Sequence, residues 1–265
     1  MPSAPVSHGS LYYLDEGHGS PLVFVHGFPL DHTMWRSQTA EFRSTHRVLA
    51  VDLPGFGKSS SAPGEMSIVG FADQLAQFLE QIGVTEKITL CGLSMGGSIS
   101  LQFALRHPDK LSRLILCDCR AVADSPEAQK LRHDLADRVL QHGPDFVAEA
   151  MASRLFAAST IEQQSEIVQS IQSVIRSTAP ASVAGGARAL AQREDVVPRL
   201  GEIATPTLVI VGSEDIISPP DEMRQMADRL PRGTLAVIQG AGHMAPLETP
   251  APVNAAIREW LTRLS

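Results

Sequence analysis

Short apolar runs rich in β-branched residues recur along this chain, with segments of helical spacing between them. The runs Pro21-Leu22-Val23-Phe24-Val25, Arg47-Val48-Leu49-Ala50-Val51, Lys87 to Cys91 and Leu111 to Cys117 are apolar largely on consecutive positions. A strand with one wet face alternates, whereas a strand covered on both faces does not, so these runs predict a parallel sheet between layers of helices. Between the second and third runs, Ile68, Phe71, Leu75, Phe78, Leu79 and Ile82 share one helical face, closed by Gly83 as a C-cap. Two further runs, Pro206 to Gly212 and Thr234 to Ile238, flank a helical stretch from Pro219 to Leu230. Thr249-Pro250 then reads as the N-cap and first residue of a terminal helix carrying Val253, Ile257, Trp260 and Leu261. This rhythm predicts an α/β fold with a mostly parallel, doubly wound sheet, whose ligands lie beyond the carboxyl ends of the strands.

The rhythm breaks between Cys119 and Thr205. Residues 128–141, 145–156, 161–175 and 182–192 have helical composition, and no convincing strand separates them. The expected organisation is one core, residues 1–120 and 204–265, interrupted by a helical cap at 121–203. A chain of 265 residues suits one such core with a decoration. Phe146, Met151, Leu155, Phe156, Val174 and Ile175 in the insertion could line a pocket, but packing for their own helices is the preferred reading of each.

Net charge is −7 and no run of lysines and arginines occurs, so a nucleic-acid or anionic-membrane partner lacks electrostatic support and a small molecule is expected. Cys91, Cys117 and Cys119 sit in or beside apolar runs without metal-ligand spacing, which suits buried thiols in a reducing compartment. Residues 1–10 contain neither a basic start nor an apolar stretch. No segment approaches the roughly 20 apolar residues of a membrane span. A cytoplasmic protein is expected.

Chemistry enters at Gly92-Leu93-Ser94-Met95-Gly96, which follows the run ending at Cys91 and precedes an apolar helical segment. A serine on such a strand-to-helix turn is held in a strained backbone conformation, and side chains two residues to either side would collide with the neighbouring strand and helix. Without further partners this is only a glycine-rich loop. A serine nucleophile needs a base, because its hydroxyl is almost un-ionised at neutral pH. Among nine histidines, His243 follows the run ending at Ile238 within Gly240-Ala241-Gly242-His243, a loop small enough to let the ring reach Ser94. His107 points away from the strand ends, and His133 and His142 fall in the insertion, so these read as surface residues. Asp215, in Gly212-Ser213-Glu214-Asp215, is the chosen acid; it stands one strand–helix unit before His243 and gives the order Ser, Asp, His. Asp118 is its rival, and a helix-capping role is the competing reading of Asp215. Glu214 is expected to face solvent. The tetrahedral oxyanion needs two N–H donors, for which the backbone amides of Met95 and of Phe28, in His26-Gly27-Phe28-Pro29, are the candidates. His26 reads as a residue that stabilises its loop.

With these residues assembled, the chain resembles the α/β-hydrolase superfamily. The resemblance is carried by His26-Gly27-Phe28-Pro29-Leu30-Asp31 with Trp35, Asp52-Leu53-Pro54-Gly55-Phe56-Gly57-Lys58-Ser59, Gly92 to Gly97, Gly212 to Asp215, and Ala241-Gly242-His243 followed by Glu248-Thr249-Pro250. It implies the α/β-hydrolase fold, a Ser94–His243–Asp215 triad, an oxyanion hole of Phe28 and Met95, a cap, and a structural role for Asp52 to Ser59. Val174 to Thr178 and Gly185 to Leu190 resemble the branch of 3-oxoadipate enol-lactonases, small carboxylesterases and cofactor-free perhydrolases. The insertion departs from an aromatic-lined lactone pocket, since its aromatics are Phe146 and Phe156, and Arg154 and Arg176 read as exposed helix arginines.

The expected activity is serine hydrolysis of small carboxylic esters or lactones through an acyl-enzyme, with no metal or organic cofactor. Enol-lactonase, carbon–carbon hydrolase and perhydrolase chemistry use the same triad and stand as alternatives. A non-catalytic small-ligand receptor on the same fold is the alternative of another class.

Overall fold

A computed structural model describes residues 2–7, 9–61 and 66–263. The apolar runs become the central strands β3 (Pro21–Val25), β4 (Arg47–Val51), β6 (Ile88–Leu93), β7 (Leu111–Cys117), β8 (Thr207–Gly212) and β9 (Gly233–Ile238). β1 (Ser3–Val6), β2 (Gly9–Glu16) and β5 (Ser60–Ser61) complete the sheet, which runs β1-β2-β4-β3-β6-β7-β8-β9 with β5 paired to β2. All pairings from β4 to β9 are parallel, and β1, β2 and β5 pair antiparallel. The six parallel strands were legible because most are covered on both faces. The antiparallel edge was not, because β2 is an eight-residue strand of mixed burial whose Gly-Ser start and Asp-Glu end mask its apolar centre.

Helices fill the connections. η1 (His32–Trp35) and α1 (Arg36–Phe42) link β3 to β4, α2 (Ile68–Gln81) links β4 to β6, and α3 (Met95–Arg106) links β6 to β7. Ser67 caps α2 by accepting the Gly70 amide, and Gly83 ends it with φ +70°, the left-handed conformation expected of a glycine there. α9 (Pro220–Arg229) lies between β8 and β9, a short α10 (Ala245–Glu248) follows β9, and α11 (Pro250–Arg263) starts at the proline that sequence marks. α1 packs with α11, and α2 with α3. From β3 the chain winds outward to β4, then crosses back to β6 and continues through β7, β8 and β9. The winding therefore changes direction between β3 and β6, the crevice where ligands of such sheets bind.

Between β7 and β8 lie α4 (Pro126–His142), α5 (Asp145–Leu155), α6 (Ala158–Gln163), α7 (Ser165–Ser177) and α8 (Pro180–Ala191), then a 3-10 turn η3 (Val197–Glu202). The single helix expected at 161–175 is two. Gln164, at φ −128° and ψ 47°, breaks it, and its side-chain amide donates to the Glu248 carbonyl at 3.4 Å. α4 and α8 pack lengthwise, and a charge cluster joins their ends: both oxygens of Asp124, just before α4, are taken, by Arg193, just after α8, at 2.6 Å and by Arg132 of α4. Arg154 and Arg176 are exposed, as expected.

Candidate active site

Ser94 stands between β6 and α3 with φ 54° and ψ −112°. A non-glycine residue there costs about 1–3 kcal/mol, repaid only because the surroundings fix it. The glycines around it answer to backbone crowding. A Cβ on Gly92 would lie 2.2 Å from the Gly96 carbonyl oxygen, and one on Gly96 would lie 2.3 Å from that of Val25. Gly97 is pressed equally closely by Cys119. The Ser94 amide donates to the Cys117 carbonyl at 3.0 Å, which anchors the turn to β7.

His243 brings its Nε2 to 2.8 Å from Ser94 Oγ, and its Nδ1 to 2.8 Å from Asp215 Oδ2. With Nδ1–H donating to the carboxylate, Nε2 is left as the acceptor for the serine proton. His243 and Asp215 are buried, and Ser94 is half-buried. Asp215 does not cap α9, which starts at Pro220 and has no side-chain cap bond. Its Oδ1 accepts the amides of Ile217 at 2.7 Å and Ser218 at 3.0 Å, locking the loop, while Oδ2 faces the imidazole. Glu214 is exposed, and Ser218 Oγ sits 3.4 Å from His243 Nδ1.

The rival acid has another situation. Asp118, in a left-handed conformation with φ 46°, accepts the Gly212 amide on Oδ1 at 2.8 Å, and its buried Oδ2 has no partner. Burial, and next the Asp215 charge, push its carboxyl well above the ordinary range.

The loop after β3 borders the serine. A Cβ on Gly27 would lie 3.4 Å from that of Ser94, so the backbone at Gly27 passes close to this serine, and Met95 opens α3 directly after it. His26 accepts the Leu53 amide on Nε2 at 3.0 Å and donates from Nδ1 to the Gly27 carbonyl at 2.9 Å. Burial pushes its pKa down, so it stays neutral and holds its loop to the one after β4. In that second loop, burial pushes the Asp52 carboxyl up. The His32 hydrogen bond, the nearby His26 and the amides of Lys58 and His32 outweigh burial and hold it below its ordinary value. Gly57, at φ +54°, leaves room for this carboxylate, so the segment Asp52 to Ser59 is a scaffold.

His107 instead bonds Asp73, and His133 and His142 are exposed. Asp31, His32 and Asp52 bring ligand-type atoms within 4.8 Å, but their hydrogen bonds within η1 and to Lys58 already account for them. Cys91, Cys117 and Cys119 are buried free thiols, with 3.9 Å between the sulfurs of Cys91 and Cys117. Among the described residues no helix is long and apolar enough to cross a membrane.

The family model of the alpha/beta hydrolase fold matches residues 20–250, from the start of β3 into α11. The chain belongs to the α/β-hydrolase family. Within that family it is similar to 3-oxoadipate enol-lactonase 2 of Acinetobacter baylyi, at 27% identity over 92% of this chain and 89% of that one. Among solved α/β hydrolases, a thermophilic esterase from Thermogutta terrifontis, with malate bound, is 43% identical with a TM-score of 0.96, over 99% of this chain and 98% of the other. The enol-lactonase from Burkholderia xenovorans is 26% identical with a TM-score of 0.91, over 98% and 100%.

Glu248 is the site residue that sequence reasoning left without a role. Its signal was a lone acid in the apolar stretch after His243.

Proposed function

We propose that this α/β hydrolase is a serine esterase acting on small carboxylic esters, with Ser94, His243 and Asp215 as its triad. The reading is carried by the relay of two 2.8 Å contacts, Ser94 to His243 to Asp215, converging on a serine at a strained elbow. Ser94 Oγ attacks the ester carbonyl as His243 Nε2 takes its proton. The charged imidazole is stabilised by Asp215, and it returns the proton to the leaving alkoxide as the tetrahedral intermediate collapses to an acyl-enzyme. Water, activated by the same histidine, then releases the acid. The amides of Phe28 and Met95 hold the oxyanion in both steps. No metal or organic cofactor enters these steps.

Residues 1–120 and 204–265 form the core in this reading, and residues 121–203 act as the cap that selects the substrate. Esters are favoured over lactones by the 43% identity to a known esterase. A panel of p-nitrophenyl esters of increasing chain length, with small lactones, tests the proposal against Ser94→Ala. The variant is expected to lose at least about a thousandfold in kcat. Equal, slow turnover by wild type and variant would leave a ligand receptor as the better account.

A further inference from the structure

The Glu248 carboxylate lies buried at the end of α10 and touches no substrate-facing atom of the triad, yet all its bonds go to two functionally distinct places. Oε1 accepts the amides of Gly242 at 2.9 Å and Met244 at 3.1 Å, the residues on either side of His243. Oε2 accepts the Ala157 amide and the Thr160 hydroxyl, each at 2.8 Å, at the start of α6 in the insertion. The Glu248 carbonyl also receives the Gln164 side chain. The two sides meet without clearance, since a Cβ on Gly242 would lie 2.6 Å from the Ala157 nitrogen and 2.8 Å from the Phe156 carbonyl carbon.

We propose that Glu248 is a positioning residue that makes the placement of His243 depend on the inserted helices, one oxygen holding the histidine's backbone and the other holding α6. This rests on His243 being the base proposed above. The chemistry of the side chain is specific to that task. Only a carboxylate presents acceptors on both oxygens; a glutamine carries one oxygen and an NH2 group, and the amide hydrogens would meet N–H donors on one side. Burial pushes the Glu248 carboxyl up against the pull of its four donors, and among the described residues no cation pairs with it. Donors converge on both oxygens, the geometry that suits a carboxylate, and a buried carboxylate held by neutral donors is costly to keep as a mere tether between two loops. What the charge secures is a fixed distance between the histidine backbone and α6. A substrate that seats the insertion thereby seats the base.

The test compares Glu248→Gln, Thr160→Val and the double variant on p-nitrophenyl acetate. Competent sites are titrated with a fluorophosphonate, so that turnover is expressed per site. Glu248→Gln is expected to lower kcat per site about tenfold with KM changed less than about twofold, since small misplacements of catalytic groups fall on kcat. Thr160→Val, which touches only the α6 side, is expected to lower kcat about threefold alone and to add nothing in the Glu248→Gln background. Unchanged kcat per titrated site in both single variants, or effects that simply multiply, would overturn the proposal. Should Glu248→Gln fail to fold, the Thr160→Val result decides alone. If Ser94→Ala retains turnover in parallel, the assignment of the site has failed rather than the clamp.

Discussion

Substituting Asp118 by asparagine separates two carboxyl groups that share a neighbourhood but have opposite jobs. Asp118 has one oxygen bonded to the Gly212 amide and the other buried without a partner, and burial pushes its carboxyl well above the ordinary range, toward the neutral group. Asparagine reproduces that neutral group nearly atom for atom. The unfolded chain ionises this residue near pH 3.9, whereas in the folded chain burial and the Asp215 charge raise its pKa above that. A raised folded pKa contributes stability that is fully present below the unfolded pKa and is lost as pH rises toward the folded pKa. Between those limits the unfolded state binds fewer protons than the native state. Wild type should therefore lose about 1.4 kcal/mol per pH unit relative to Asp118→Asn, which has no proton to lose. Urea unfolding of both proteins at a series of pH values upward from about pH 4 is then expected to show the asparagine variant gaining on wild type at that slope until the folded pKa is reached. In the same preparations, Asp118→Asn should keep ester turnover within about threefold of wild type, while Asp215→Asn loses at least about a hundredfold. A stability difference independent of pH would mean that Asp118 is ionised in the fold. A full catalytic loss at Asp118 with little change at Asp215 would transfer the role of triad acid to Asp118.

Two further outcomes probe the supports of the site. Gly242→Ala forces a methyl group against the Phe156–Ala157 backbone, so kcat should fall more than KM rises, and urea unfolding should show a loss of about 1–3 kcal/mol; wild-type values in both measurements would show that the contact yields freely. Arg193→Met removes a buried guanidinium from Asp124 and from the Val122 carbonyl, leaving a carboxylate with Arg132 alone. The urea midpoint should drop by the equivalent of about 3 kcal/mol, and a shift under about 1 kcal/mol would mean that the cluster adds nothing net.

Sequence by itself settled what depends on local pattern. Consecutive apolar positions marked the central parallel strands, since burial on both faces leaves no polar alternation, and the glycines at positions 92 and 96 marked a turn whose backbone approaches to 2.2–2.3 Å of a missing Cβ. The meeting of Ser94, His243 and Asp215 was legible because each follows a strand and the doubly wound topology gathers strand ends. Tertiary structure decided what depends on partners distant in the chain. The antiparallel edge β1–β2–β5 pairs segments that carry no period of their own, and the break at Gln164, whose side chain reaches the Glu248 carbonyl 84 residues away, leaves no mark in the helical composition around it. The choice between Asp215 and Asp118 likewise lies in three dimensions. Both aspartates follow buried strands, but only Asp215 has an oxygen facing the imidazole, while Asp118 is turned to the Gly212 amide and burial pushes its pKa up.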